Sequence, residues 1–293
     1  MEKVVIKRFD KVLIIPNKDK EGITETIETV DGWVKGHGAR CFLTPTDAAL
    51  LGMDFPRATA AEVDLALVLG GDGTMLRAVE VIGDNDVPLA GINIGKMGFL
   101  TTAEMRNAEE ALADIFNGRY WTSERQTLGC TMGGFHYRAL NEIVIGKIIR
   151  ERLIRLSTYV NGDFFMNYSG DGLIFATATG STAYSLSAGG PIVTPGLKCF
   201  LLTPICAHML FSRPMVLRWT DRVRVVVGDR PELLALSIDG HMDVEIPPSS
   251  SIEFYLHERP IRLIGLNESS YWKTVREKFV QAPIGEGAMD LKE

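Results

Sequence analysis

The chain has 293 residues, of which 46% are hydrophobic, and its 31 Lys and Arg against 37 Asp and Glu give a formal net charge of −6. This acidic balance argues against a protein that coats nucleic acid, because such proteins carry a clear basic excess. The length predicts two domains, and the 29 glycines are typical of a turn-rich globular protein.

The first third of the chain alternates short apolar runs with helical patterns. Strands that alternate with helices imply crossover connections and therefore an α/β domain with a mostly parallel sheet. We predict strands over Lys11–Pro16, Ala39–Leu43, Leu65–Leu69 and Val87–Ile94, and helices over Glu21–Lys35, Met75–Ile82 and Ala108–Phe116.

After Gly118 short β-like runs dominate, which predicts an all-β second domain. The runs are Gln126–Met132, Phe135–Gly146, Leu153–Val160, Asp163–Asn167, Leu173–Thr177, Met215–Leu217, Arg222–Val227, Leu233–Ile238, Ser251–Leu256 and Ile261–Leu263. A final helix, Glu268–Val280, is expected to return to the first domain. The predicted domains are thus residues 1–119 with about 264–293 for the α/β domain, and 120–263 for the all-β domain.

Cysteine usage and apolar patterning predict a cytoplasmic protein with no membrane partner. The four cysteines form no close pair and no Cys-x-x-Cys motif, so we expect neither a disulfide framework nor a structural zinc site. The first 20 residues contain no apolar stretch long enough for an export signal. The charge-free segment 172–197 is no spanning helix, because 14 of its 26 residues are Gly, Ser, Thr or Pro.

A glycine-rich loop, Gly70-Gly71-Asp72-Gly73-Thr74, stands between a predicted strand and a predicted helix. Such a loop lies at the edge of a parallel sheet where ligands bind, and glycines let the backbone approach a phosphate. A carboxylate among phosphate-binding amides is unfavourable unless it abstracts a proton or approaches a cation. The alternative is a tight turn with Asp72 as a helix cap. Leu76 stands where a dinucleotide fingerprint needs glycine, and no Gly-Lys-Ser/Thr of a P-loop is present.

A second segment, 171–191, is rich in hydroxyls and small residues, which suit hydroxyl, phosphate and base contacts. Its alternative interpretation is a polar turn between strands. It contains no His or Lys to activate a serine, so a serine hydrolase is not expected. Asn141-Glu142 places an amide and a carboxylate before an apolar strand, which alone is equally typical of a solvated strand end.

Together these segments resemble the NAD kinases, over most of the chain and in the expected order. The matching residues are Gly70 to Thr74, Gly91-Ile-Asn93 through Gly98-Phe99-Leu100, Asn141-Glu142, Asp171-Gly172, Thr179 to Tyr184 through Gly190-Pro191, Pro204-Ile205-Cys206, His208, Arg213-Pro214 and Ser237-Ile238-Asp239-Gly240. The Gly-Gly-Asp-Gly-Thr loop is shared with lipid kinases and related to phosphofructokinases, whereas the Thr-Gly-Ser-Thr-Ala-Tyr segment and the Asn-Glu pair are more specific.

The resemblance implies an N-terminal α/β domain, a C-terminal all-β domain and phosphoryl transfer from ATP, or in some members polyphosphate, to the adenosine 2′-hydroxyl of NAD. By analogy Asp72 is the catalytic base, and the loop residues Gly71, Gly73 and Thr74 hold phosphates. A divalent cation, Mg²⁺ with Mn²⁺ as the alternative, would neutralise charge on the transferred group. Its ligands are not assigned.

The resemblance also implies an NAD site at the domain interface and a homodimer or homotetramer. Asn141 and Glu142 would hold ribose hydroxyls, and Asp171 would act on the nicotinamide side, often from a neighbouring subunit. The remaining expected NAD contacts are Phe99, Arg152, Thr182, Ala183, Tyr184, Ser185, Leu186, Ser187 and His241. Arg152 lies in a basic run for which a solvated strand face is the rival interpretation.

Two departures and two rival functions accompany the resemblance. Ala178 and Ala207 replace family prolines, which loosens two loops but removes no substrate-contacting side chain. A lipid kinase of related fold would need an apolar cavity for its acceptor, which the hydroxyl-rich segment 179–187 disfavours. A non-catalytic NAD sensor would not require Asp72.

Overall fold

The computed structural model describes residues 8–95, 98–148, 153–209, 212–229, 233–266 and 271–279. The elements of its first part are β1 (Lys11–Pro16), α1 (Ile23–Gly36), β2 (Arg40–Leu43), α2 (Pro45–Leu51), β3 (Leu65–Leu69), α3 (Asp72–Ile82), β4 (Leu89–Asn93), β5 (Ala103–Glu104), α4 (Ala108–Phe116) and β6 (Trp121–Arg125).

The second part consists almost entirely of strands, with one short helix between two of them and one helix after the last. Its elements are β7 (Leu128–Met132), β8 (Phe135–Ala139), β9 (Glu142–Lys147), β10 (Ile154–Val160), β11 (Asp163–Gly170), β12 (Gly172–Thr177), α5 (Tyr184–Ser187), β13 (Cys199–Ile205), β14 (Met215–Arg218), β15 (Val223–Val227), β16 (Leu234–Ile238), β17 (Met242–Ile246), β18 (Ser251–Leu256), β19 (Ile261–Gly265) and α6 (Tyr271–Phe279).

The first sheet has the order β2-β1-β3-β4-β19-β6, with β5 beside β4. Its strands are parallel except β6, which runs antiparallel to β19 at the edge. Strands β3 and β4 are buried at every residue, as expected for parallel strands covered on both faces. The order reverses at β1, which has β2 on one side and β3 on the other, so the loop after β3 lies at the switch point where open α/β sheets bind ligands.

The second domain is a sandwich of two antiparallel sheets, ordered β11-β10-β15-β18-β7-β8 and β14-β13-β12-β9-β16-β17. Side chains from both sheets form one apolar core. At its centre the ring of Phe175 on β12 stacks on that of Phe254 on β18 at 3.7 Å between centroids. The predicted combination of an α/β domain and an all-β domain is confirmed.

Several bounds differ from the sequence-based prediction. Strands β6 and β19 pair with each other in the first sheet. The predicted all-β range of 120–263, however, includes all of β6 and most of β19. The predicted run Phe135–Gly146 is two strands, interrupted at Leu140 and Asn141. Strand β13 was not predicted, because Pro204 within it disfavours a strand assignment.

The C-terminal helix α6 returns to the first domain, as predicted. The ring of Phe279 lies 5.9 Å from that of Phe99, in the loop that follows β4. At its other end the hydroxyl of Tyr271 donates to the carbonyl of Val193, so the helix also contacts the second domain. Among the described residues, none of the helices has the length and apolar character needed to cross a membrane.

Candidate functional site

Asp72 is the first residue of α3, and its carboxylate binds a different segment of the chain. Helix α3 has Gly71 as its N-cap, with no side-chain cap hydrogen bond. The Asp72 carboxylate accepts from the backbone amides of Phe99 at 2.8 Å and Leu100 at 3.0 Å. The helix-cap interpretation of Asp72 is therefore wrong, because its acceptors serve the loop after β4 rather than its own helix.

Close packing around Asp72 explains two of the nearby glycines. A Cβ on Gly98 would lie 1.9 Å from Asp72 Oδ1, and one on Gly70 would lie 2.2 Å from Thr74 Oγ1. The Thr74 hydroxyl is thus buried beneath Gly70 and supports the loop. By contrast, a Cβ on Gly71 or Gly73 would meet nothing within 4 Å, so the backbone there borders open space that a ligand can approach.

Lys278 of α6 completes the surroundings of Asp72. Its Nζ lies 4.0 Å from Asp72 Oδ2 and 4.3 Å from the centroid of the Phe99 ring. The Lys278 ammonium thus links helix α6 to the Asp72 carboxylate and to the Phe99 ring. Sequence reasoning missed Lys278, because its distance along the chain from Asp72 leaves no local pattern.

Asp239 fixes the backbone of the Asn141-Glu142 pair. Its carboxylate accepts from three consecutive amides: Leu140 at 2.8 Å, Asn141 at 2.8 Å and Glu142 at 3.0 Å. The Asp239 amide in turn donates to the Glu142 carbonyl at 2.9 Å. Asp239 and Gly240 both have positive φ, 47° and 68°, as an Asp-Gly hairpin turn requires. Burial raises the pKa of Asp239, and the amide hydrogen bonds oppose that rise.

The Glu142 side chain is buried and only partly satisfied. Its exposed fraction is 8%, and Oε2 has no hydrogen-bond partner among the described residues. Burial, followed by the nearby Asp239 carboxylate, raises the pKa of Glu142 to about 8, while a hydrogen bond from the Tyr184 backbone lowers it. A protonated carboxyl both donates and accepts, so Glu142 is suited to the two hydroxyls of a ribose diol.

The turn after β12 packs directly against the Asn141-Glu142 pair. A Cβ on Gly180 would lie 2.1 Å from the Asn141 carbonyl oxygen, so only glycine allows this approach. The Thr177 hydroxyl donates to the Leu140 carbonyl at 2.6 Å and accepts from the Gly180 amide at 3.0 Å. The neighbouring Thr179 hydroxyl is buried and has no partner among the described residues. Thr179 Oγ1 and Glu142 Oε2 are thus two buried oxygens that lack a hydrogen-bond partner among the described residues.

The other predicted residues of the turn differ in accessibility. Thr182, Ala183 and Leu186 are half-buried, Ser187 is exposed, and Tyr184 is 45% exposed. Ser185 is fully buried, and its hydroxyl bonds that of Thr203 at 2.9 Å, so its side chain holds the turn rather than facing a ligand.

Two further predicted residues take part in ion pairs. The Asp171 carboxylate pairs with Lys147 Nζ at 2.5 Å. His241 Nε2 lies 3.1 Å from Glu80 Oε2, which joins the second domain to α3. Arg152 lies outside the described residues.

Two groups of side chains result, one on each domain. Asp72, Phe99 and Lys278 form the first, and Glu142 with the turn 177–187 forms the second. Helix α3 connects them, since it begins at Asp72 and contacts His241 through Glu80. Within the described ranges, no group of three or more His, Cys, Asp or Glu is arranged to hold a metal ion.

Comparisons with known families match both domains. A model of the ATP-NAD kinase N-terminal domain matches residues 12–120, and one of the ATP-NAD kinase C-terminal domain matches residues 140–266. A Moorella thermoacetica protein named NAD kinase is 35% identical over 277 residues, which span 92% of this chain and 89% of that protein. A Caldanaerobacter subterraneus protein of the same name is 34% identical over 280 residues, spanning 92% and 99%.

Solved structures share the fold. Yeast NADH kinase complexed with NADH superposes with a TM-score of 0.83 at 24% identity, covering 98% of this chain and 91% of that one. An NAD kinase from Archaeoglobus fulgidus in complex with ATP gives 0.74 at 24% identity, covering 92% and 98%.

The raised pKa of Glu142 predicts a pH dependence of stability in the ligand-free protein. The folded-state pKa of about 8 exceeds the ordinary 4.5, so the stability contribution is complete below about pH 4.5 and is lost as pH rises toward 8. Glu142→Gln removes this titration. Between pH 5 and 8 the free energy of unfolding should therefore fall less in Glu142→Gln than in the wild type, by up to a few kcal/mol at about 1.4 kcal/mol per pKa unit.

Denaturant titrations across that pH range measure the difference. Glu245→Gln is the matched control, because Glu245 is an exposed glutamate on β17 of the same sheet, and this variant should retain the wild-type profile. Parallel profiles for the wild type and Glu142→Gln would contradict a raised pKa at Glu142.

Proposed function

The chain belongs to the NAD kinase family, and we propose that it transfers the γ-phosphate of ATP to the adenosine 2′-hydroxyl of NAD, giving NADP. The observation that carries the proposal is the buried, half-satisfied carboxyl of Glu142 beside a hydroxyl-lined turn, linked through α3 to Asp72. The related proteins are named NAD kinases, which disfavours the lipid kinase.

The acceptor side of the reaction uses the second domain. Glu142, with Asn141, holds the ribose hydroxyls of NAD, and Asp239 fixes the backbone from which both side chains project. The accessible side chains of Thr182, Tyr184 and Ser187 border the adenosine. Because the unsatisfied Glu142 and Thr179 oxygens gain partners on binding, the site favours a ligand with hydroxyl groups at that position.

Asp72 is the proposed general base. A ribose hydroxyl is a poor nucleophile at neutral pH, so a carboxylate placed against it promotes attack on the phosphoryl group. Each Asp72 oxygen accepts one backbone amide and keeps further lone pairs, which leaves capacity to accept the 2′-hydroxyl proton. The two amides also fix the direction of the carboxylate, which limits motion during the transfer.

The donor phosphates bind the open backbone at Gly71 and Gly73, beside the N-terminus of α3. The site suits Mg²⁺, with Mn²⁺ as the alternative, because such an ion is commonly held by one or two carboxylates plus substrate phosphates rather than by a protein cage. Asp72 is the carboxylate at hand. The bound cation would neutralise charge on the transferred phosphoryl group.

We also propose a cytoplasmic homodimer or homotetramer. All four cysteines, each within the described residues, are free thiols, which fits a reducing compartment. Asp171, whose side chain is 35% exposed, is the residue expected to reach a neighbouring subunit's NAD site.

Asp72→Asn tests the base directly. The wild type should form NADP from NAD and ATP in the presence of Mg²⁺. The kcat of the variant should be lower by a factor of about 10²–10⁴, the usual contribution of a positioned acid or base. The dissociation constant for NAD should change little, since a base acts mainly in the transition state. The variant's amide nitrogen would face one backbone N–H, so a lower Tm is expected as well.

Asp64→Ala separates the catalytic loss from the structural one. The Asp64 Oδ2 accepts from two backbone amides of the same domain, those of Asp10 and Lys11, and alanine removes both bonds. The Asp64→Ala variant should have a lower Tm and an unchanged kcat. If Asp72→Asn kept a near-normal kcat, or if Asp64→Ala lost as much, Asp72 would not be the base.

Glu142→Ala tests the acceptor site. Loss of the diol hydrogen bonds should raise KM for NAD by the equivalent of roughly 2–4 kcal/mol, with little change in the ATP dependence. Steady-state kinetics with each substrate varied measure the two effects, and Glu245→Ala on β17 is the control. Equal changes for NAD and ATP would show that Glu142 is structural.

The oligomer proposal predicts a mass of two or four chains by light scattering. Activity per chain should fall on dilution, because each NAD site is completed by a second subunit. A monomer that is fully active at nanomolar concentration would refute this arrangement.

A further inference from the structure

A cavity of about 720 Å³ lies between the two domains and the C-terminal helix, and Glu142 is not among the residues that line it. One wall is the β19–β6 edge of the first sheet, including Ser123 and Arg125 of β6, and another is the loop that contains Phe99. The segment 194–196 of the second domain and helix α6 close the remaining sides. The volume suits a ligand of nucleotide size.

Arg125 is the most unusual residue of this wall. Its Nε is buried without a hydrogen-bond partner, and no ion pair joins its guanidinium to another described residue. Burial lowers the pKa of Arg125 below its ordinary value. A largely buried cation without a counterion is costly, and such groups are normally paired or bind a ligand.

The rest of the lining supplies donors and no counter-charge. Two further polar atoms of the cavity wall, Trp121 Nε1 and Thr101 Oγ1, are buried and lack partners among the described residues. Among the described residues of the lining, Arg125 and Lys278 are cations and none is Asp or Glu. Unsatisfied donors around a cation match an anion with several acceptor oxygens, and arginine presents a fork that fits phosphate.

The cavity and Asp72 share two neighbouring residues. Phe99 and Lys278 line it, and both also contact Asp72: the Phe99 amide donates to the carboxylate, and Lys278 Nζ lies 4.0 Å from it. A chain of phosphates in the cavity would therefore extend toward Asp72 along Phe99 and Lys278.

We propose that this cavity binds the polyphosphate chain of the phosphoryl donor, with Arg125 as a specific partner for its phosphate oxygens. The proposal rests on the proposed NAD kinase function and adds a donor-binding residue remote from the glycine loop. ATP and inorganic polyphosphate share this chemistry, so the experiment uses both sources.

The test compares the full-length wild type, Arg125→Leu and Arg125→Lys, with Arg119→Leu as control because the Arg119 side chain is 62% exposed in the same domain. Thermal shift measures stabilisation by ATP and by inorganic tripolyphosphate, each with Mg²⁺ and without NAD. Steady-state kinetics measure KM for ATP and for NAD.

In Arg125→Leu we expect the ligand-free Tm to be unchanged or higher, because an unpaired buried charge is replaced by an apolar side chain. Stabilisation by the donor should be lost, and KM for ATP should rise at least tenfold while KM for NAD stays within twofold. Arg125→Lys, which keeps the charge without the fork, should be intermediate. Loss with ATP alone identifies a nucleotide donor, whereas loss with both ligands identifies recognition of the phosphate chain itself.

A lower ligand-free Tm in Arg125→Leu with an unchanged KM for ATP would overturn the proposal and make Arg125 structural. Equal stabilisation of the wild type and both variants would overturn it too. Because the thermal shifts need no turnover, an inactive wild type would refute the proposed kinase function while leaving the binding result interpretable.

Discussion

The carboxylate of Asp239 determines the geometry of the proposed acceptor site. It accepts from the amides of Leu140, Asn141 and Glu142, where the chain leaves β8 in one sheet of the sandwich and begins β9 in the other. The same interaction places a second carboxylate beside Glu142 and contributes to its raised pKa. Asp239 thus fixes the backbone and adds to the rise in the Glu142 pKa, of which burial is the larger cause, and the cost of burying Asp239 is offset by three amide donors.

Helix α3 transmits this geometry across the domain boundary. Its first residue is Asp72, Glu80 contacts His241, and the loop after it is held by Arg138 of β8, which donates to the Gly83 carbonyl. Arg259 adds a second bond from the other domain, to the Asp84 carbonyl at 3.1 Å. One helix thus carries the proposed base at its N-terminus and inter-domain contacts toward its C-terminus, so relative motion of the domains would change the separation of base and acceptor.

Sequence reasoning succeeded where the information is local. Strands β1 and β3 have the predicted bounds, because a buried parallel strand is a continuous apolar run ended by Pro, Asn or Gly. It failed where the deciding partner is distant: the sequence around Asp72 is equally typical of a helix cap, whereas its carboxylate accepts from the amides of Phe99 and Leu100, 27 and 28 residues away. Lys278 and Arg125 gave no signal, since one joins the site through the last helix and the other is notable only for lacking a counterion among the residues that the structure describes.

The position of β19 has a consequence for synthesis on the ribosome. This strand, Ile261–Gly265, lies between β4 and β6, and so separates two strands made more than a hundred residues earlier. While the ribosome is still translating the sandwich, the nascent first domain has a gap in its sheet: β5 can already pair with the end of β4 at Ile92 and Asn93, but the Leu89 end that β19 will pair has no partner on that side. Lys278 emerges later still. The first domain to be made is therefore the last to be finished, and a chain released early would present an open strand edge, the kind of surface that chaperones cover and aggregates exploit.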